Sequence, residues 1–218
     1  MKLGIAGCGT MGKILAEYAR EEGTFSEIIM IEPAEENAWP EERLDLIIDF
    51  SHPRAVCGIY DYCRQQGGNI PVVLATTGYG AEEEEIIRLL SKICPIDRRT
   101  NYSQGVAAMN ELTALGARLL GEKADIRVFE AHHTKKADAP SGTAKTLCAC
   151  AGIQPEEYEE KTACLRMGNV YGEHSVFFAL EDEIVEIRHT AYSKKIFAAG
   201  ALAAGKKMLT CKESDLGV

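Results

Sequence analysis

Three features of the sequence predict an α/β fold in two parts. Up to about residue 100, short apolar runs alternate with amphipathic helical patterns. The first of these runs breaks on Gly7-Cys8-Gly9-Thr10-Met11-Gly12, a GxGxxG turn that leads into a helix. After residue 160, alternating apolar and polar residues recur in runs separated by short turns, the pattern of antiparallel strands. The first two features make a βαβ unit and hence a Rossmann-like nucleotide-binding domain with a parallel sheet. The third makes an α+β domain with a mainly antiparallel sheet.

Each element follows from local pattern. Residues 2–6 read as a strand, and Ile14, Leu15, Tyr18 and Ala19 share one face of the helix after the glycine turn. Glycines there let the backbone approach a pyrophosphate, whose charge is met by the helix N-terminus. Residues 27–31 form the second strand, and Glu32 stands at its end, twenty residues after Gly12. An acid in that position accepts hydrogen bonds from the adenosine ribose hydroxyls. Glu32 would repel a 2′-phosphate, and Pro33 supplies no cation, so NADH is expected in preference to NADPH.

Residues 44–50, LDLIIDF, are the continuous apolar run of a strand buried on both faces. A helix is expected from Ser51-His52-Pro53 to residue 66, a strand over 71–75, and an acidic amphipathic helix over 81–93. Ligands in open α/β sheets lie beyond the carboxyl ends of the strands, which places Thr76, Thr77 and Asn101 beside the nicotinamide half of the cofactor. Residues 101–105, NYSQG, interrupt the alternation and read as a hinge. The expected domains are 1–103, completed by 194–218, and 104–193. The second contains a helix over 106–120, a strand over 126–130, a helix over 143–151, a Glu-rich loop, and strands over 163–166, 174–180 and 183–191. The alanines and glycines of a last helix, 196–209, suit close packing against the first domain.

Composition narrows the function. The chain has 218 residues, enough for one large or two small domains, with 46% apolar and 26% charged residues. A net charge of −9 argues against nucleic acid or an anionic membrane surface as partner. The start, MKLGIAGCG, lacks the pattern of a secretory signal, and no apolar run reaches bilayer length, so a cytoplasmic protein is expected. Eight cysteines (8, 57, 63, 94, 148, 150, 164 and 211) form no CxxC pair and are expected as reduced thiols, with no metal site. Cys148 and Cys150 read as packing residues on different sides of one helix.

Against this acidic background, residues 130–144, EAHHTKKADAPSGTA, concentrate positive charge. Adjacent His132 and His133 and adjacent Lys135 and Lys136 repel one another unless an anion offsets them. The following DAPSGT reads as a helix start, whose backbone N–H groups also attract an anion. Cations, proton donors and an anion-binding turn together point to a small anionic substrate.

GCGTMG, DFSHP, the TTG at Thr76, NYSQGV, EAHHTKKADAPSGTA, RMGNVYGEH and HTAYSKKIFAAGAL together resemble the 4-hydroxy-tetrahydrodipicolinate reductase family, also called dihydrodipicolinate reductase. The resemblance implies NAD(P)H-dependent reduction of 4-hydroxy-tetrahydrodipicolinate to tetrahydrodipicolinate, in lysine and diaminopimelate biosynthesis, by a homotetramer. It implies that Gly7, Cys8, Gly9, Thr10, Met11 and Gly12 contact the cofactor pyrophosphate and Glu32 the ribose. Ala75, Thr76, Thr77, Thr100, Asn101 and Tyr102 would border the nicotinamide. His132 and Lys136 would be catalytic, while His133, Lys136, Ser141, Gly142 and Thr143 would hold the substrate carboxylates.

Hydride addition to a conjugated ring leaves an enamine-like carbanion that needs a proton, and a charged lysine is a suitable acid. The chain departs from the family pattern in a shortened stretch between Cys150 and Arg166, Arg98 and Arg99 before the hinge, and a tail without Gly-x-Tyr. Lys194 also replaces an arginine, and an ammonium cannot reproduce a bidentate guanidinium contact. Two other readings are a dehydrogenase for another small dicarboxylate and a catalytically silent nucleotide sensor.

Overall fold

The computed structural model describes residues 1–33, 35 and 38–210. Residues 34, 36 and 37, Cys211 and the tail from that cysteine onward lie outside the described residues. The chain divides into two compact units, Met1–Tyr102 with the chain from Phe197, and Ser103–Ile196.

The first unit is a five-stranded parallel sheet. Its strands are β1 (Lys2–Ala6), β2 (Glu27–Ile31), β3 (Leu46–Asp49), β4 (Val72–Leu74) and β5 (Ile96–Arg98), in spatial order β2-β1-β3-β4-β5. The chain leaves β1 toward β2 on one side and then crosses to β3 on the other. The strand order therefore reverses beside β1, where open α/β sheets form their ligand crevice. In register, Ala6 lies opposite both Ile31 and Asp49, so Gly7, Glu32 and Phe50 follow at one common edge. The charged IDR of β5 has no apolar run, and the strand is absent from the sequence reading; pairing of Val72 with Ile96 recruits it.

Helices cover both faces. Leu3, Ile5, Leu46, Ile48 and Val73 pack with Leu15, Ala16 and Ala19 of α1 (Thr10–Glu22). Ile31, Ile47, Val72 and Leu74 pack with α2 (Ala55–Gln65) and α3 (Ala81–Leu90) through Val56, Ile59, Ile87 and Leu90. Each buried Val, Leu or Ile side chain among these contributes about 1.5–3 kcal/mol. The helix expected from Ser51 starts only at Ala55, because Ser51 turns its hydroxyl and N–H to the Asp49 carboxylate.

In the second unit, α4 (Gln104–Leu120) and α5 (Gly142–Cys150) cover one face of the sheet. Its strands are β6 (Asp125–His132), β7 (Thr162–Arg166), β8 (Glu173–Ala179) and β9 (Ile184–Thr190), in order β7-β6-β8-β9. The β6–β8 and β8–β9 pairs are antiparallel, while β6–β7 is parallel and uses α5 in its crossover. Met109, Val128, Leu147, Cys148, Val176 and Phe178 make the core between sheet and helices. Gly116 has no room for a side chain, since a Cβ there would lie 2.7 Å from the Phe178 ring.

Two sequence expectations change here. Strand β6 runs to His132 rather than Glu130, because pairing with β7 continues through His132 opposite Arg166. The Glu-rich segment read as a loop contains a 3₁₀ turn, Pro155–Glu157, and α6 (Tyr158–Lys161), started by Glu157 accepting from the Gln154 N–H at 3.3 Å. The last helix, α7, spans Lys195–Thr210, and its Ala198, Ala201, Leu202 and Ala204 lie in the first unit's core. A Cβ on Gly205 would come within 2.6 Å of Leu46, so a small residue is needed for that approach. Among the described residues no helix is long and apolar enough to cross a membrane.

Candidate functional site

In the first unit the glycine turn is built for close backbone approach. Gly7 has φ +104°, and a Cβ on it would lie 2.5 Å from the Phe50 carbonyl oxygen. A Cβ on Gly12 would meet the Gly7 carbonyl oxygen at 1.8 Å, so helix and strand touch only because neither position carries a side chain. A Cβ on Gly9 would meet nothing within 4 Å, and Gly9 caps α1 without a side-chain hydrogen bond. The N–H groups of Thr10, Met11 and Gly12 therefore lack both an intrahelical carbonyl and a capping side chain, leaving them aimed outward. Glu32 leans back over the turn and accepts from the Cys8 N–H at 3.4 Å. Burial and the Glu32 carboxylate push the Cys8 thiol above its usual range, so it stays neutral. Open backbone donors with an acid at the next strand end fit a dinucleotide: the donors would hold the pyrophosphate and Glu32 the ribose.

Thr76 and Tyr102 hold structure with the groups the sequence offered to the nicotinamide. The Thr76 hydroxyl accepts from the Ser51 N–H at 3.0 Å and belongs, with half-buried Ser51 and Tyr79, to a cluster around buried Asp49. Tyr102 is buried, and its hydroxyl donates to the Asp97 carbonyl at 2.9 Å. Ala75 is half-buried beside them, its N–H bonded to the Asp49 carbonyl at 3.0 Å, while Thr77 is exposed. Thr100 is exposed and Asn101 half-buried in the link that follows β5.

In the second unit the sheet brings together groups that sequence spacing leaves apart. Glu130 and His132, two apart on β6, project from one face. His132 Nδ1 hydrogen-bonds Glu130 Oε2, and Arg166 Nη2, from the neighbouring strand, reaches Glu130 Oε1 at 2.7 Å. Glu130 is fully buried. Burial alone would raise its pKa, but His132 and Arg166 outweigh burial and bring it to about 2. A carboxylate that stays charged only accepts, so His132 carries its proton on Nδ1 and presents Nε2 for exchange. A Cβ on Gly172 would sit 3.2 Å from that Nε2, so glycine keeps the approach open.

Across the sheet, Glu130 lies opposite His174, and His174 opposite His189. His174 is buried with neither ring nitrogen hydrogen-bonded, and its ring meets His132 edge-on at 5.1 Å. Burial, then the neighbouring histidines, lower its pKa to about 3 and keep it neutral.

Beyond β6, Lys136 Nζ pairs with Asp138 Oδ1 at 2.6 Å. Burial pulls the Asp138 carboxyl upward, but Lys136 and the Gly142 N–H hold it below the ordinary range. His133 is half-buried, and burial followed by the charge of Lys194 keeps its pKa low. Ser141 caps α5 by accepting from the Ala144 N–H at 3.2 Å, as the sequence predicts for DAPSGT, with Gly142 and Thr143 in its first turn. His132, His133, Lys136, Ser141, Gly142 and Thr143 thus lie along one strand end, the turn after it and the next helix start. Glu130, Arg166 and His174 are the members that the sequence reading missed as site residues. The Glu-x-His spacing on a strand was the available signal for Glu130; the other two join through strand pairing. Among the described residues no group of three His, Cys, Asp or Glu could hold a metal ion.

Comparison with known proteins covers nearly the whole chain. Residues 1–102 match the family model described as "Dihydrodipicolinate reductase, N-terminus", and residues 105–216 the one described as "Dihydrodipicolinate reductase, C-terminus". The 4-hydroxy-tetrahydrodipicolinate reductase of Exiguobacterium sp. (strain ATCC BAA-1283 / AT1b) is 37% identical over 96% of this chain and 90% of its own. That of Alkaliphilus metalliredigens is 36% identical over 94% and 92%. Among solved structures, dipicolinate-bound dihydrodipicolinate reductase from Paenisporosarcina sp. TG-14 superposes with a TM-score of 0.70 at 18% identity, over 98% of this chain and 96% of that one. Aspartate dehydrogenase from Thermotoga maritima gives a TM-score of 0.52 at 14% identity, over 97% of each chain, a likeness of fold alone.

Proposed function

The chain belongs to the dihydrodipicolinate reductase family, and from that premise we propose that His132 and Lys136 carry its reaction, the reduction of 4-hydroxy-tetrahydrodipicolinate to tetrahydrodipicolinate in lysine and diaminopimelate biosynthesis. The observation that carries this reading is a histidine backed by a buried carboxylate, four residues before a lysine ion-paired with Asp138 in the turn that follows. The bound nicotinamide cofactor supplies a hydride. The 4-hydroxyl leaves as water to give a conjugated ring; Lys136 Nζ offsets a carboxylate of that ring and delivers the proton that completes the reduction, while His132 Nε2 exchanges a proton at the same substrate. Glu130 stabilises the protonated imidazole without taking the proton, since its own pKa lies near 2. His133 and the start of α5 at Ser141, Gly142 and Thr143 hold the second carboxylate.

In the first unit, Gly7, Cys8, Gly9, Thr10, Met11 and Gly12 hold the pyrophosphate. Ala75, Thr76, Thr77, Thr100, Asn101 and Tyr102 border the nicotinamide, Thr76 and Tyr102 chiefly by fixing the backbone there. Glu32 favours NADH, because its carboxylate takes ribose hydroxyls and repels a 2′-phosphate. The domains divide at 1–103 with 194–218, and 104–193. The protein works in the cytoplasm as a homotetramer. The sheet face away from α4 and α5 supports this assembly: it carries Phe129, Leu165, Phe177 and Ile184, of which Leu165 and Ile184 are exposed.

A coupled assay tests the activity. Aspartate semialdehyde, pyruvate, the upstream synthase and NADH are mixed with the protein, and absorbance at the reduced-nicotinamide band is followed. NADH oxidation that requires the synthase product is expected. Oxidation without the synthase would point to another substrate, and NADH binding without oxidation to a silent sensor.

A further inference from the structure

Arg166 lies at the end of β7 opposite His132, and its guanidinium has an unusual set of partners. Nη2 donates one hydrogen to Glu130 Oε1 at 2.7 Å and the other to the Asp138 carbonyl at 2.5 Å. Nη1 donates to the Leu165 carbonyl at 2.8 Å, which fixes the plane of the group. Nε is buried and makes no hydrogen bond. One nitrogen thus connects the strand carrying His132, through Glu130, with the turn carrying Lys136, through Asp138 and its ion pair.

We propose that Arg166 is a positioning residue that sets the spacing between His132 and Lys136. The proposal rests on reading those two residues as the reacting groups. It follows from geometry: two hydrogens on one trigonal nitrogen diverge at a fixed angle, so the two acceptors cannot drift apart without breaking a charge-assisted bond. Reacting groups lose rate steeply when displaced by an ångström, so a tie of this kind acts on turnover rather than on affinity for cofactor. A lysine at 166 would keep the charge and satisfy Glu130, but its rotating ammonium lacks the planar fork that reaches the Asp138 carbonyl as well.

The test uses the intact protein with Arg166→Lys, Arg166→Ala and Lys136→Ala, alone and as Arg166→Lys with Lys136→Ala. Turnover in the coupled assay is read together with NADH affinity, urea midpoints and long-range ¹H–¹⁵N spectra of the His132 imidazole. Arg166→Lys is expected to fold with a near-native midpoint, keep its NADH affinity and lose at least about tenfold in turnover. In the Lys136→Ala background the same change should cost less than about twofold, because the spacing no longer matters. Arg166→Ala frees Glu130 Oε1 and is expected to shift the His132 imidazole resonances in the spectra as well.

Full turnover in folded Arg166→Lys, or equal losses in both backgrounds, would overturn the proposal. So would an unchanged His132 spectrum in Arg166→Ala. If Lys136→Ala itself kept full turnover, the assignment of the reacting groups would fail instead, and the two failures are told apart by that single variant.

Discussion

Asp49 in the first unit and Glu130 in the second are both fully buried carboxyl groups, yet their surroundings drive them in opposite directions. Burial pushes the Asp49 pKa up, against hydrogen bonds from the hydroxyls of Ser51, Thr76 and Tyr79 and the Ser51 N–H, all neutral donors. Glu130 is equally enclosed but meets Arg166 and His132, and its pKa falls to about 2. Burial therefore does not decide the charge of a group; the charge of its partners does. The same contrast separates the two candidate ligand regions. The glycine turn offers backbone donors and needs side chains to be absent, whereas the end of the second sheet offers ionised side chains that hold one another in place.

The contrast breaks most visibly at Lys136. Lys136→Ala should lower turnover by about 10²–10⁴-fold, the range for loss of a positioned acid, with NADH affinity unchanged on titration. Next come the two carboxyls. Glu130→Gln should destabilise the protein by about 3–5 kcal/mol in urea unfolding, since it strands Arg166. Asp49→Asn should lie within about 1 kcal/mol of wild type, because its partners are neutral donors and one acceptor oxygen is kept.

Acid sharpens the comparison further. His174 is neutral in the folded protein down to about pH 3, while the unfolded chain takes up a proton near 6.5. Stability should therefore fall as pH drops through 6.5 and continue falling to about 3. Glu130, with its lowered pKa, adds a loss from 4.5 down to about 2. Urea midpoints across this range should show the decline, and His174→Phe should flatten its upper part. A smaller effect is expected at Glu32, where Glu32→Ser should narrow the preference for NADH over NADPH by about tenfold in kcat/KM, the weight of a hydrogen bond to a charged group. The smallest is Ser141→Ala, which should cost about 1 kcal/mol in urea as α5 loses its cap.

The first unit was legible because its signals are local. A glycine with φ +104° and a helix starting at Thr10 follow from six adjacent residues, and Glu32 from strand length alone. Strand β5 was not legible, because IDR has no period of its own and becomes a strand only by pairing with β4. In the second unit the cluster of histidines and lysines could be read from charge repulsion, and the helix start from Ser141. The positions of Arg166 and His174 depend on register between strands, and register is a property of the folded sheet. The family resemblance pointed to the blocks RMGNVYGEH and EAHHTKKADAPSGTA, but not to the contact that joins them.

The central claim is that a cationic site beyond β6, anchored by Lys136, takes the dicarboxylate while the glycine turn separately takes the dinucleotide. Calorimetric titration of Lys136→Ala with dipicolinate and, in a second experiment, with NADH tests it directly. The account predicts that dipicolinate binding is lost and NADH binds as it does to wild type. Undiminished dipicolinate binding by that variant, or loss of NADH binding with it, would contradict the account.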